Sequence, residues 1–199
     1  MNRCCFRCLA LCCTWILAAP VALAARIDLA ASDLGGGTVV ETDLGPGVLA
    51  FDPAFPGFVP MRLSILLEDG DAGAPLAWNA FVDNLSGELW RAFSIALEGA
   101  TFVGVGSAVA NASAVEGIDL GPATALVRFA DPGEAAGLDL GAPLGIGEDW
   151  QIAVGGLGVG DSLAIVLTPL AVPEPASFAL LALGIAGIAG ARRGRARSL

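Results

Sequence analysis

Hydrophobic positions fall along the chain in three regimes. Near the start, residues 8–18 are apolar throughout except for Thr14. Near the end, residues 176–191 run for 16 positions without a charge. Between them the apolar runs are short, and clusters of Gly, Pro and Asp such as 69–73 and 131–133 cut them apart. Several runs alternate apolar with polar positions, the period-2 signature of a strand with one buried face. The pattern predicts strands over 38–42, 48–51, 62–67, 77–83, 89–97, 101–105, 125–129, 150–154 and 162–167. In the run 90–97, strict alternation places Arg91, Phe93, Ile95 and Leu97 on one face and Trp90, Ala92, Ser94 and Ala96 on the other. Many short strands parted by turn residues predict an all-β fold, a two-sheet β-sandwich. Residues 114–140 are the least regular, and 134–136 suit a helical turn or a loop equally. Asp-Leu-Gly recurs at Asp33, Asp43, Asp119 and Asp139, at intervals of 10, 76 and 20 residues. That is no fixed period, so it reads as one turn chemistry reused rather than a repeat architecture.

The two long runs read as targeting segments. Arg3 and Arg7 precede the first, and Ala22-Leu23-Ala24 follows it with the small residues signal peptidase needs. Residues 1–24 are therefore expected to be a secretory signal peptide, cut by signal peptidase so that the mature chain starts at Ala25. All five cysteines, Cys4, Cys5, Cys8, Cys12 and Cys13, lie in that segment, so the mature chain has no disulfide. The second run, 176–191, spans roughly 24 Å as a helix, a little short of a hydrocarbon core. Arg192, Arg193, Arg195 and Arg197 follow it; their long side chains extend its reach, and they act as a cytoplasmic stop under the positive-inside rule. Pro173 and Pro175 prevent the helix from running back into the preceding domain. The expected organisation is a leader (1–24), an extracytoplasmic β-sandwich domain (25–171), and a tail (172–199) holding one transmembrane helix (176–191) and an Arg-rich end (192–197).

The tail carries a resemblance. Val172-Pro173-Glu174-Pro175, an Ala/Leu/Gly-rich helix and a terminal arginine cluster, in that order, resemble the PEP-CTERM protein-sorting signal of Gram-negative bacteria. The resemblance covers about 28 of the 199 residues. It implies that exosortase, a transpeptidase-like membrane enzyme, recognises and cuts the tail. The protein is then expected in the inner membrane as a precursor, and later at the cell surface or in the extracellular matrix, linked to exopolysaccharide and biofilm. Within the middle, Asn84-Leu85-Ser86-Gly87 followed by Trp90 and Phe93 resembles a pattern in the β-rich bodies of many such proteins. Physically it is a strand, a Gly turn and a strand led by Trp, with Trp90 and Phe93 expected as packing residues on opposite sheet faces.

Charge and absent residue types narrow the chemistry. Residues 26–172 hold four arginines against nineteen Asp and Glu, a net charge of −15, and the chain has no Lys. So acidic a domain repels nucleic acid and anionic lipid, and no nucleic-acid partner is expected. There is no His and no Tyr. With no mature Cys either, Ser-His-Asp and Cys-His catalysis, Schiff bases and the usual zinc sites are excluded. A carboxylate glycosidase pair is the remaining catalytic option, and no pair stands out, so a non-enzyme without a cofactor is expected. Glu68, Asp69 and Asp71, in one Gly-rich turn, are weak calcium candidates, lacking the downstream Glu of an EF-hand. The stretch 155–161 resembles a calcium-binding Gly/Asp nonapeptide, with its Asp one residue late and in a single copy. The alternative function is a carbohydrate- or calcium-binding surface module on a plain membrane anchor, with Trp78, Trp90 or Trp150 as an exposed sugar platform.

Overall fold

The computed structural model describes residues 24–71, 73–111, 113–130 and 137–171. The expected tail helix, the Arg-rich end, the leader apart from Ala24, and the 134–136 turn lie outside these residues. Thirteen strands occur among the described residues, and no helix. They are β1 (Arg26–Ile27), β2 (Thr38–Thr42), β3 (Val48–Phe55), β4 (Met61–Leu66), β5 (Leu76–Asn84), β6 (Trp90–Glu98), β7 (Thr101–Gly104), β8 (Ala108–Asn111), β9 (Val115–Leu120), β10 (Thr124–Phe129), β11 (Gly137–Leu140), β12 (Trp150–Ala153) and β13 (Ser162–Ala171).

They form two sheets. The first runs β1-β4-β13-β6-β10-β9 and is antiparallel throughout. The second runs β2-β3-β5-β11-β8, with β12 joining β5 to β7. One edge of β5 is shared by two strands: Leu76, Ala77 and Trp78 pair with β12, and Ala80 to Asp83 pair with β11. On its other edge β5 pairs in parallel with β3. A parallel pair needs a crossover, and β4 supplies it through the other sheet. Where the β3–β5 ladder lapses between Ala50 and Ala54, the Asp52 carboxylate accepts the Phe81 amide hydrogen at 3.0 Å.

Inward positions follow the alternation. From the first sheet come Leu63 and Ile65, Phe93 and Ile95, and Ile165 and Leu167; from the second, Phe51, Phe55, Trp78, Val82 and Trp150. All belong to one buried cluster, so the sheets pack face to face as a sandwich. Phe55 of the second sheet meets two rings of the first edge-on, Trp90 at 5.9 Å and Phe93 at 5.7 Å. Phe51 stacks on Trp78 at 5.8 Å, and Trp150 lies against both Trp78 and Phe102.

The predicted all-β, two-sheet architecture is present, with differences in detail. Strands β1, β8, β9 and β11 were not predicted; they are short, or lie in the irregular 114–140 stretch. β3 continues through Pro53, and β13 continues through Pro169 to Ala171. Pairing of β13 with β4 stops at Leu167, so Pro169 sits where the strand has only β6 beside it and an amide hydrogen is dispensable. The link from Asn84 to Trp90 is a crossing between sheets, since β5 and β6 belong to different ones. The Asn84 carboxamide holds it, accepting from the Ser86 amide at 3.0 Å and donating to the Glu88 carbonyl at 2.9 Å. Gly87 takes φ +71° there, a left-handed conformation that favours glycine.

The alternation predicted for 90–97 fails at its first turn. Ala171 pairs with Trp90 and Leu170 with Ala92, leaving Arg91 as an extra residue. This β-bulge shifts the phase by one, so Trp90 joins Phe93 on the core face and Arg91 is exposed. Trp90 and Phe93 therefore stack at 5.5 Å instead of lying on opposite faces. Because Phe55 bridges the sheets through both rings, Phe55→Ala should destabilise the domain by about 3–5 kcal/mol, measurable by urea denaturation of residues 25–171.

Candidate functional site

The expected sorting residues Val172, Pro173, Glu174 and Pro175, and Arg192, Arg193, Arg195 and Arg197, lie outside the described residues, as does Ala22. Their attachment point is visible. Ala171 ends β13, which is hydrogen-bonded to β4 along one edge as far as Leu167 and to β6 along the other as far as Ala171. At the opposite terminus, Ala24 is half-buried and Ala25 is buried at 4% exposure against the core. Ala25, the residue at which the mature chain is expected to start, is thus packed into the core of the domain.

Beside Ala171 the outer face of the first sheet is hollowed into a groove of about 420 Å³. Two irregularities shape it. The bulge in β6 turns Arg91 outward, and a register shift between β9 and β10 places Arg128 opposite Gly117 and Phe129 opposite Val115, leaving Glu116 over. Leu126, Leu170 and Ala92 supply apolar walls. Arg128 also pairs with Asp119 across the strands at 3.2 Å. Arg26 pairs with Glu68 and Arg62 with Glu98. Arg91 is the arginine left without an ion pair among the described residues.

The acidic turn proposed for calcium does other work. Asp71 is 1% exposed, and its two carboxylate oxygens accept the amide hydrogens of Gly47 at 3.0 Å and Glu68 at 2.9 Å. It staples the β2–β3 turn to the β4–β5 turn. Glu68 faces Arg26 at 2.8 Å, while Asp69 is exposed. Among the described residues no three such groups converge as metal ligands would. In the Gly-rich stretch, Asp161 accepts the Gly158 amide hydrogen at 2.8 Å and closes a turn into β13. Of the four Asp-Leu-Gly sites, Asp33 and Asp43 share one device, each accepting the amide hydrogen two residues on. Asp119 and Asp139 instead lie within strands. Trp78, Trp90 and Trp150 are all 0% exposed, which rules them out as a sugar-stacking platform.

Sequence reasoning missed two features. Ser107 is a polar hub: its hydroxyl donates to the Gly141 carbonyl at 2.8 Å and accepts from the Glu148 amide at 3.1 Å. Its carbonyl accepts the Trp150 indole hydrogen at 3.0 Å. Asp139 on β11 shares an outer face with Asp83 of β5, as the ladder pairing of Asp83 with Gly137 and Phe81 with Asp139 requires. One Asp139 oxygen is buried without a hydrogen-bond partner. Loss of solvation, followed by the nearby Asp83 charge, raises its pKa above the usual 3.8.

Compared with known proteins, residues 171–193 match the family model of the PEP-CTERM protein-sorting motif. No curated protein and no solved structure gives a significant match. The chain carries the sorting motif, and the match starts at Ala171, the last residue of β13.

Asp71→Ala should cost about 1–3 kcal/mol, because two part-buried amides lose their acceptor. The loss should be equal in calcium and in EDTA, as read by melting temperature. For Asp139, a raised folded pKa means its stabilising contribution is full below about 3.8 and is lost as pH rises through the folded value. Asp139→Asn should therefore raise the melting temperature at pH 7, with the gain vanishing near pH 3.

Proposed function

We propose that the protein is an exported, non-enzymatic surface or matrix protein whose tail is cut by an exosortase-type enzyme after translocation. The observation that carries this reading is the match over 171–193, which falls on the ordered triple of Pro-Glu-Pro, apolar run and arginine cluster. In this reading, signal peptidase releases the leader at Ala24-Ala25. The apolar run 176–191 then arrests the chain in the inner membrane, with Arg192, Arg193, Arg195 and Arg197 in the cytoplasm.

Val172-Pro173-Glu174-Pro175 follows β13 directly in the chain, so in this reading a membrane enzyme meets it at the outer surface with the folded domain directly beyond. The processed domain passes to the cell surface or extracellular matrix, where exopolysaccharide is its neighbour. The acidity of the domain supports this destination, because it favours solubility outside the cell and disfavours adhesion to anionic lipid.

Pro173→Ala or Glu174→Ala, expressed in a host with exosortase, should accumulate as a membrane-bound precursor longer than the processed wild type on an immunoblot. A variant band that matches the processed wild type would remove the motif from this role.

A further inference from the structure

We propose that the groove beside Ala171 is a dock for the chain's own Val172-Pro173-Glu174-Pro175 segment, with Arg91 holding the Glu174 carboxylate. The groove is built at the point where the tail departs: Ala171 itself lines it, and Ala171 is the ladder partner of Trp90, the residue before Arg91. Glu174 is three residues further on, a reach of at most about 10 Å in extended chain. Neighbouring strands lie about 4.8 Å apart, so the segment can cross from β13 over β6 toward β10.

Charge selects the same occupant. In a domain of four arginines and nineteen carboxylates, Arg91 is the arginine with no ion-pair partner among the described residues. The bulge that exposes Arg91 also removes it from the regular ladder, and bulges commonly re-aim a side chain in this way. Leu126 and Leu170 offer apolar contact to Val172 and the two prolines. Glu116, at the far wall, opposes a carboxylate that strays past Arg91 and so biases Glu174 toward the near side. A tethered segment three residues long has a high effective concentration, so a single charge pair with modest apolar contact is enough to populate the dock.

The dock does not depend on whether the tail is ever cut, so it is tested in a secretion host lacking exosortase. The mature chain has no cysteine, and cysteines placed at chosen positions are therefore the sole thiols. Leader-cleaved chain that retains the tail and carries Leu126→Cys and Pro175→Cys is treated with a short bismaleimide in neutral detergent, and cross-linked peptides are quantified by mass spectrometry. A control pairs Pro175→Cys with Val40→Cys on the other sheet. The Leu126 pair should link several times more than the control. Adding Arg91→Glu should lower the yield about fivefold, the factor for an exposed charge pair at the strong end of its range. Adding Glu174→Arg to that variant should restore it. Equal yields for the two pairs, no effect of Arg91→Glu, or no rescue by the charge swap would overturn the dock. Cross-links between two chains would assign the groove to a second copy. Loss of the cross-link in phosphatidylglycerol vesicles alone would assign Arg91 to lipid phosphate; both outcomes also reject it.

Discussion

Pairing of β13 along both edges is the constraint on which the rest depends. This final strand of the domain lies third in a six-stranded sheet, held by β4 and β6. Its inward residues Leu163, Ile165 and Leu167 sit in the middle of the core. A tail attached to an edge strand could peel one hydrogen-bonded row away. A tail attached to β13 is anchored to the whole sandwich, because removing the strand would break two ladders and open the core. The first sheet cannot be complete without its C-terminal strand, so the strand that bears the tail belongs to the centre of the fold.

That placement explains why irregularities gather at the exit. β13 outlasts its β4 partner by four residues, and only β6 follows it to Ala171. Here β13 becomes the edge of the sheet while β6 keeps β10 on its other side as far as Ala92, and a bulge lets such an edge bend and twist. The cost of one unpaired residue, Arg91, is offset by bringing Trp90 inside, where it stacks on Phe93 and meets Phe55 edge-on. One local defect thus places an aromatic anchor in the core and an arginine on the surface beside the tail.

The acidic residues show how far composition misleads about role. Nineteen carboxylates in the domain suggest a cation-binding surface. Asp71, the most suggestive of them, is buried and spends both oxygens on backbone amides of two turns. Asp52, Asp33, Asp43 and Asp161 likewise accept amide hydrogens at turns or where a ladder lapses. In a domain with so many short strands, many turn amides lack a ladder partner, and a short carboxylate is a compact way to satisfy them.

What the chain alone determined is what depends on local order. The period-2 alternation marked most of the strands, and the contiguous Pro-Glu-Pro, apolar run and arginine cluster marked the sorting tail, because each signal is written in neighbouring residues. The short strands β8, β9 and β11 were not legible, since four to six residues with mixed faces acquire strand geometry only from their partners. The bulge at Arg91 was not legible either. Nothing within 90–97 breaks the alternation; the shift comes from the register of Leu170 and Ala171, about 80 residues away in the chain. Only the tertiary structure could decide that Asp71 is a staple and that Arg91 faces outward, because both follow from contacts between segments that local order does not join.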